Sequence, residues 1–168
     1  FMESQEFRNF QEATYLGKYL SDEQNKSKTW IDIEKELSKY CLEINQSGLM
    51  TSMKTYGRKL LHQEYESLKD ALKKYLRKET SRDYRLDSSS NALRLLYQIE
   101  ENSSNRIVTF NYTELVENIS SNAFASYYHN LLHVHGRLHA EDDFVFGVED
   151  DVVLHKEHAF LYKAYSKY

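Results

Sequence analysis

Proline is absent from all 168 residues, so no fixed-φ kink interrupts the chain and long helices are permitted. Cysteine occurs once, at Cys41, which excludes an internal disulfide framework and fits a reducing cytoplasm. No run approaches the roughly 20 apolar residues that a membrane-spanning helix needs, so no membrane partner is expected. The first residues carry no apolar signal core. An initiating methionine is lacking too: the chain opens at Phe1, which suggests a fragment of a longer protein. Neither sign of charge dominates, because charged residues make up 29% of the chain for a net charge of −4. The basic footprint of a nucleic-acid binder is therefore missing, and no nucleic-acid partner is expected. What is left is a helix-rich, cytoplasmic chain, long enough for one domain or one domain with a helical insertion.

Residues 1–28 are polar with scattered aromatics. Phe7, Phe10 and Ala13 have the spacing of a short helix, and Ser21 to Lys28 reads as a polar loop. From Thr29 the period sharpens: Trp30, Ile33, Leu37, Tyr40, Cys41 and Ile44 recur at three- and four-residue steps, which predicts one buried helix face. Thr29 is the expected N-cap, with Asp32 as the acid of a capping-box variant, and Gly48 the expected stop. Cys41 lies on the apolar face and reads as core rather than nucleophile. A longer helix follows over Met50 to Thr80, with a stripe of Leu61, Tyr65, Leu68, Leu72, Tyr75 and Leu76; Gly57 interrupts its first turns, so its start could instead be loop. At 1.5 Å per residue this is a rod of roughly 45 Å, which either pairs or projects. A homo-oligomer built through the 50–80 helix is the corresponding expectation. After a polar connector over 81–91, Ser88 to Ser90 caps a helix through Ala92, Leu95, Leu96 and Ile99.

Beyond the polar hinge 101–105 the composition changes. Ile107, Val108, Thr109 and Phe110 form a continuous run of the kind that suits a strand buried on both faces of a parallel sheet. Leu131 to His135 and Phe144 to Phe146 are the next predicted strands. A short helix is expected from Thr113 to Ile119, and another over His158 to Tyr168. The fold expected is helix-rich α/β, with a helical region over 1–103 ahead of an incomplete α/β region over 104–168.

Each predicted strand ends in polar or glycine residues, which is how buried strands present groups to a ligand. Asn111 offers a donor and an acceptor just past the first strand, or it serves only its own turn, with Thr113 as a helix cap. Four histidines, His129, His133, His135 and His139, stand close together. On a strand, His133 and His135 would share a face. They could hold a metal with Asp142, Asp143 or Glu149 completing the set. Alternatively His135 acts alone as a general base against Gly136, or the histidines are ordinary partly buried side chains. Gly147 ends the third predicted strand ahead of Glu149 and admits close backbone approach, or simply makes the turn.

Taken in order, Phe110-Asn111-Tyr112-Thr113, His133-Val134-His135-Gly136 and Phe146-Gly147 with a following acid resemble the AbiH family. These are bacterial phage abortive-infection proteins, a distant branch of the sirtuin-like NAD-binding fold. Trp30-Ile31-Asp32-Ile33-Glu34 resembles that family's W-x-x-x-E stretch. Phe160-Leu161-Tyr162-Lys163-Ala164-Tyr165 resembles the aromatic, lysine-bearing helix after its core. The resemblance implies a partial Rossmann-like parallel sheet of sirtuin type. It also implies catalytic roles for Asn111 on the ribose and His135 as base, with Asn111, Thr113, Gly136 and Gly147 binding NAD or a related nucleotide. No metal is implied. In sirtuin-like chains an acid commonly stands two positions after the Asn, and Thr113 occupies that position here. The glycine-rich phosphate loop that opens such chains has no counterpart, since Gly17 and Gly48 stand alone; the C-terminal strands expected after Tyr168 are missing as well. The chain reads as the middle of an AbiH-like phage-defence protein with a nucleotide site; if the whole protein is an enzyme, NAD hydrolysis is the activity implied, and this fragment alone is expected to be inactive. The alternatives are a non-enzymatic sensor or oligomerising scaffold and, behind it, a metal-dependent hydrolase.

Overall fold

The structure, a computed structural model, describes residues 1–27, 32–46, 54–80, 90–100, 104–114, 116–117, 131–138, 144–148, 153–154 and 156–163. In order, its elements are helices α1 (Gln5–Ala13), α2 (Tyr15–Ser27), α3 (Ile33–Gln46), α4 (Lys54–Thr80) and α5 (Asn91–Glu100). Strands β1 (Ile107–Thr109) and β2 (Leu131–His133) follow, then a 3-10 segment over Lys156–Leu161. The fold is helix-rich α/β with a small parallel sheet, the class the sequence predicts. The chain divides into two compact units: Phe1–Tyr75 with Val145–Tyr168, and Leu76–Phe144. Among the described residues no helix is long and apolar enough to cross a membrane.

In the first unit α1 starts at Ser4, whose hydroxyl accepts the Phe7 N–H at 3.2 Å. It ends at Thr14, which joins α1 to α2. The Thr14 hydroxyl donates to the Phe10 carbonyl and accepts the Gly17 N–H, both at 2.9 Å. The Glu64 carboxylate of α4 takes the Tyr15 N–H at 2.7 Å and the Leu16 N–H at 3.2 Å. The N–H groups that open α2, which no helical carbonyl can serve, are thereby all bonded, and by an anion placed at the positive end of the helix. This start carries α2 on to Ser27, so the expected loop from Ser21 is instead helical. Leu16 and Leu20 anchor its buried side, and the polar residues that follow need only face water.

At α3 the cap also differs from expectation. Asp32 itself accepts from the Glu34 and Lys35 N–H groups at 3.1 and 3.2 Å, so it is the N-cap, one turn later than Thr29. Thr29, Trp30 and Gly48 lie outside the described residues. Leu37 and Cys41 are wholly buried, and burial pushes the Cys41 thiol up to about 12, as befits a core residue. In α4 the helix runs through Gly57, and 50–53 lie outside the described residues. Leu61, Tyr65, Leu68 and Ala71 are buried, while Leu72, Tyr75 and Leu76 are half-buried. Leu68, central to the stripe, is thus enclosed by its own chain.

The segment Phe144–Phe146 is buried, as expected, but it is not a strand. The Tyr65 hydroxyl donates to the Phe146 carbonyl, occupying an acceptor that a ladder would use. Pairing begins only at Val148, which bridges Tyr162 in parallel, with Val148 N–H to the Leu161 carbonyl at 2.8 Å and Lys163 N–H to the Val148 carbonyl at 3.0 Å. The last described stretch is a 3-10 turn rather than the expected α-helix, and Ala164 to Tyr168 lie outside the described residues.

In the second unit, the connector 81–89 lies outside the described residues. Helix α5 follows Ser90, whose carbonyl accepts the Arg94 N–H at 3.1 Å. Strands β1 and β2 pair in parallel with Ile107 against Leu131, Val108 against Leu132 and Thr109 against His133. The expectation of burial on both faces is corrected: Val108 is 54% exposed and Leu132 59%, and only Thr109 of β1 is buried. Val108 and Leu132 are cross-strand partners, so the sheet face they share is more than half exposed. Of the helix expected over Thr113–Ile119, Val116 and Glu117 are helical and 118–119 lie outside the described residues.

Candidate strand-end site

Both strands end at the same edge, because the sheet is parallel. After β1 the Thr109 hydroxyl accepts the Asn111 N–H at 3.1 Å, a local bond that turns the backbone out of the ladder. The Thr109 carbonyl takes the Val134 N–H at 2.9 Å, and the Tyr112 carbonyl takes the Leu138 N–H at 2.8 Å. Asn111-Tyr112-Thr113 and His133-Val134-His135-Gly136 are therefore stitched side by side. Asn111 is exposed, Thr113 and His135 half-buried, and Gly136 buried.

β2 stops at His133, two residues earlier than predicted, and Val134 and His135 form a turn. The turn is closed by Gly136 at φ 75°, a left-handed conformation that glycine adopts without strain. His133 and His135 consequently do not share a strand face, which corrects the geometry on which a paired-imidazole metal site depended. His135 instead meets the rings of Phe110 edge-on at 5.6 Å and Tyr112 at 5.8 Å, and Tyr112 packs on Phe144 at 4.4 Å. His133 turns to polar partners: Nδ1 lies 3.0 Å from the Asn111 carbonyl and Nε2 lies 2.7 Å from Glu117 Oε1. A carbonyl only accepts, so Nδ1 donates its proton to the Asn111 carbonyl, and Nε2 faces the carboxylate. Among the described residues no group of three His, Cys, Asp or Glu could hold a metal ion. His129, His139, Asp142, Asp143 and Glu149 lie outside them.

Asn111, Thr113, His135 and Gly136 thus fall in one compact unit, whereas Gly147 falls in the other. There it stands at φ 152°, and an added Cβ would come within 2.2 Å of the Leu161 carbonyl oxygen. Its smallness answers to its own chain's backbone. Glu34, the acid of the W-x-x-x-E stretch, reaches the Gly147 N–H at 3.4 Å and Lys163 Nζ at 2.7 Å. Three segments singled out separately in the sequence meet there. Sequence reasoning missed Glu117 and Glu64. The second had a legible signal, since it shares the helix face of Leu61, Tyr65 and Leu68, where an acid needs a reason.

A helix-rich α/β chain with a polar cluster at the carboxyl ends of parallel strands is the class that fold and site define. The family model described as Bacteriophage abortive infection AbiH matches residues 1–168, and the chain belongs to the AbiH family. Neither a curated protein nor a solved structure matches it.

Proposed function

We propose that this phage abortive-infection protein binds NAD or a related nucleotide at the strand-end cluster and hydrolyses it there. The observation that supports the reading is the parallel pairing of β1 and β2, which sets Asn111–Thr113 beside His133–Gly136 at the edge where α/β proteins bind ligands. The donor set suits a ribose: a carboxamide on Asn111, a hydroxyl on Thr113, and a glycine at 136 past which a sugar can approach. The space beside Gly147 is taken by Leu161 and the Tyr65 hydroxyl, so this reading gives it no part in holding the ligand.

Bound NAD would supply a glycosidic bond to nicotinamide that is open to cleavage. Asn111 orients the sugar. His135 takes a proton from a hydroxyl or a water, and the flanking rings of Phe110 and Tyr112 keep the imidazole in place and part of its surroundings dry. The test follows NAD consumption by the full chain beside His135→Ala. A positioned base contributes on the order of 100-fold or more, so a loss of that size is expected. Equal rates would remove His135 from the mechanism, and NAD that binds without being consumed would favour a sensor over an enzyme.

A further inference from the structure

His133, two residues from the base, has a different task. We propose that His133, braced by Glu117, is the positioning residue of the strand-end site, fixing where Asn111 stands. Its side chain is 5% exposed and that of Glu117 14%, so neither would be enclosed without bonds to answer for its polarity. The imidazole joins three segments: the end of β2, the turn after β1 and the helical turn at Val116–Glu117. Asn111 receives the effect directly. Its N–H is bound by Thr109 Oγ1 and its carbonyl by His133, so both backbone polar groups are held and the carboxamide remains for a ligand. The Glu117 carboxylate orients the ring in the way that a carboxylate orients a metal-bound or catalytic histidine, by engaging the nitrogen that faces away from the task.

The nucleotide arm of the test rests on the function proposed above, and the structural arm does not. In Asn, the carboxamide nitrogen stands near the place of Nδ1; in Gln, it stands near that of Nε2. His133→Asn therefore keeps the donor to Asn111, whereas His133→Gln keeps only a group beside Glu117. Likewise Glu117→Gln can still bond the ring, and Glu117→Ala cannot. The NMR signals of the Asn111 side-chain amide are followed in the full chain without ligand. They are expected to hold their wild-type positions in His133→Asn and Glu117→Gln and to shift or broaden in His133→Gln and Glu117→Ala. In NAD titrations the second pair weakens binding about tenfold, the loss of one well-placed bond, and the first pair much less.

Unmoved Asn111 signals in His133→Gln and Glu117→Ala would overturn the assignment. So would imidazole nitrogen shifts in the wild-type chain showing Nδ1 without its proton, a measurement that requires no variant to fold. A wild-type chain that fails to bind NAD would sink the nucleotide reading alone, with the Asn111 signals still deciding the role of His133.

Discussion

The two compact units use buried polar groups for different ends. In the unit formed by Phe1–Tyr75 and Val145–Tyr168, Leu16, Leu20, Leu37, Leu68 and Leu161 are all 0% exposed, and two of the unit's acids accept from backbone N–H groups. Glu64 ends the N-terminus of α2, and Glu34 holds Lys163 and the Gly147 N–H. Among the described residues of Leu76–Phe144 the pattern differs. Leu93, Leu138 and Phe144 are buried, while Val108, Phe110 and Leu132 stand 54%, 63% and 59% exposed. Its enclosed acid, Glu117, braces a histidine at a strand end instead of a helix terminus. The same chemistry, a carboxylate with buried donors, serves scaffolding in one unit and the candidate site in the other.

The largest test of that contrast lies at Leu68. An aspartate there would bury a charge with no partner prepared for it and remove a wholly enclosed apolar side chain. Leu68→Asp is expected to cost about 4 kcal/mol or more, read as a fall in the urea midpoint. Since Leu68 is enclosed by its own chain, the loss should be independent of protein concentration. A concentration-dependent loss would show that the α4 stripe is shared between chains and would break the comparison at its root.

Strong periodicity made part of this fold legible. Leu61, Tyr65 and Leu68 repeat as one face over a helix long enough to leave no other reading, and α4 follows from them. The polar half of α2 was illegible because its helicity is set by bonds at its start, from Thr14 and from Glu64, forty-eight residues beyond Leu16. At the site, the run of β-branched residues at 107–109 announced a parallel strand, and the neighbourhood of Asn111 with the His-Val-His-Gly stretch followed from it. The roles of the two histidines did not. Period-two alternation places His133 and His135 together only while the strand lasts, and the left-handed Gly136 requires the turn to begin at Val134. Nor does sequence spacing place Glu117, sixteen residues from His133, against its ring.

A middle-sized effect is expected at Glu64. Removing its carboxylate in Glu64→Ala strands the buried Leu16 N–H and the part-buried Tyr15 N–H, at a cost of about 2 kcal/mol. Glu64→Gln keeps one acceptor oxygen and should recover part of that loss. Thermal unfolding of the two variants checks the order. If alanine and glutamine were equally harmless, the acid would not be holding α2, and the first unit's use of buried polarity would lose its main support.

The smallest effect is the most pointed, because it concerns the face that the second unit leaves open. Val108 and Leu132 are direct cross-strand neighbours, both more than half exposed. Threonine keeps the β-branched shape that suits a strand and adds a hydroxyl, which costs little where water already reaches. Val108→Thr with Leu132→Thr should therefore change stability by no more than about 0.5 kcal/mol, the usual range for surface substitutions. Denaturant melts of the double variant measure it. A loss above about 2 kcal/mol would mean that water is excluded from this face in solution, as it is from both faces of most parallel sheets, and the contrast drawn between the two units would narrow.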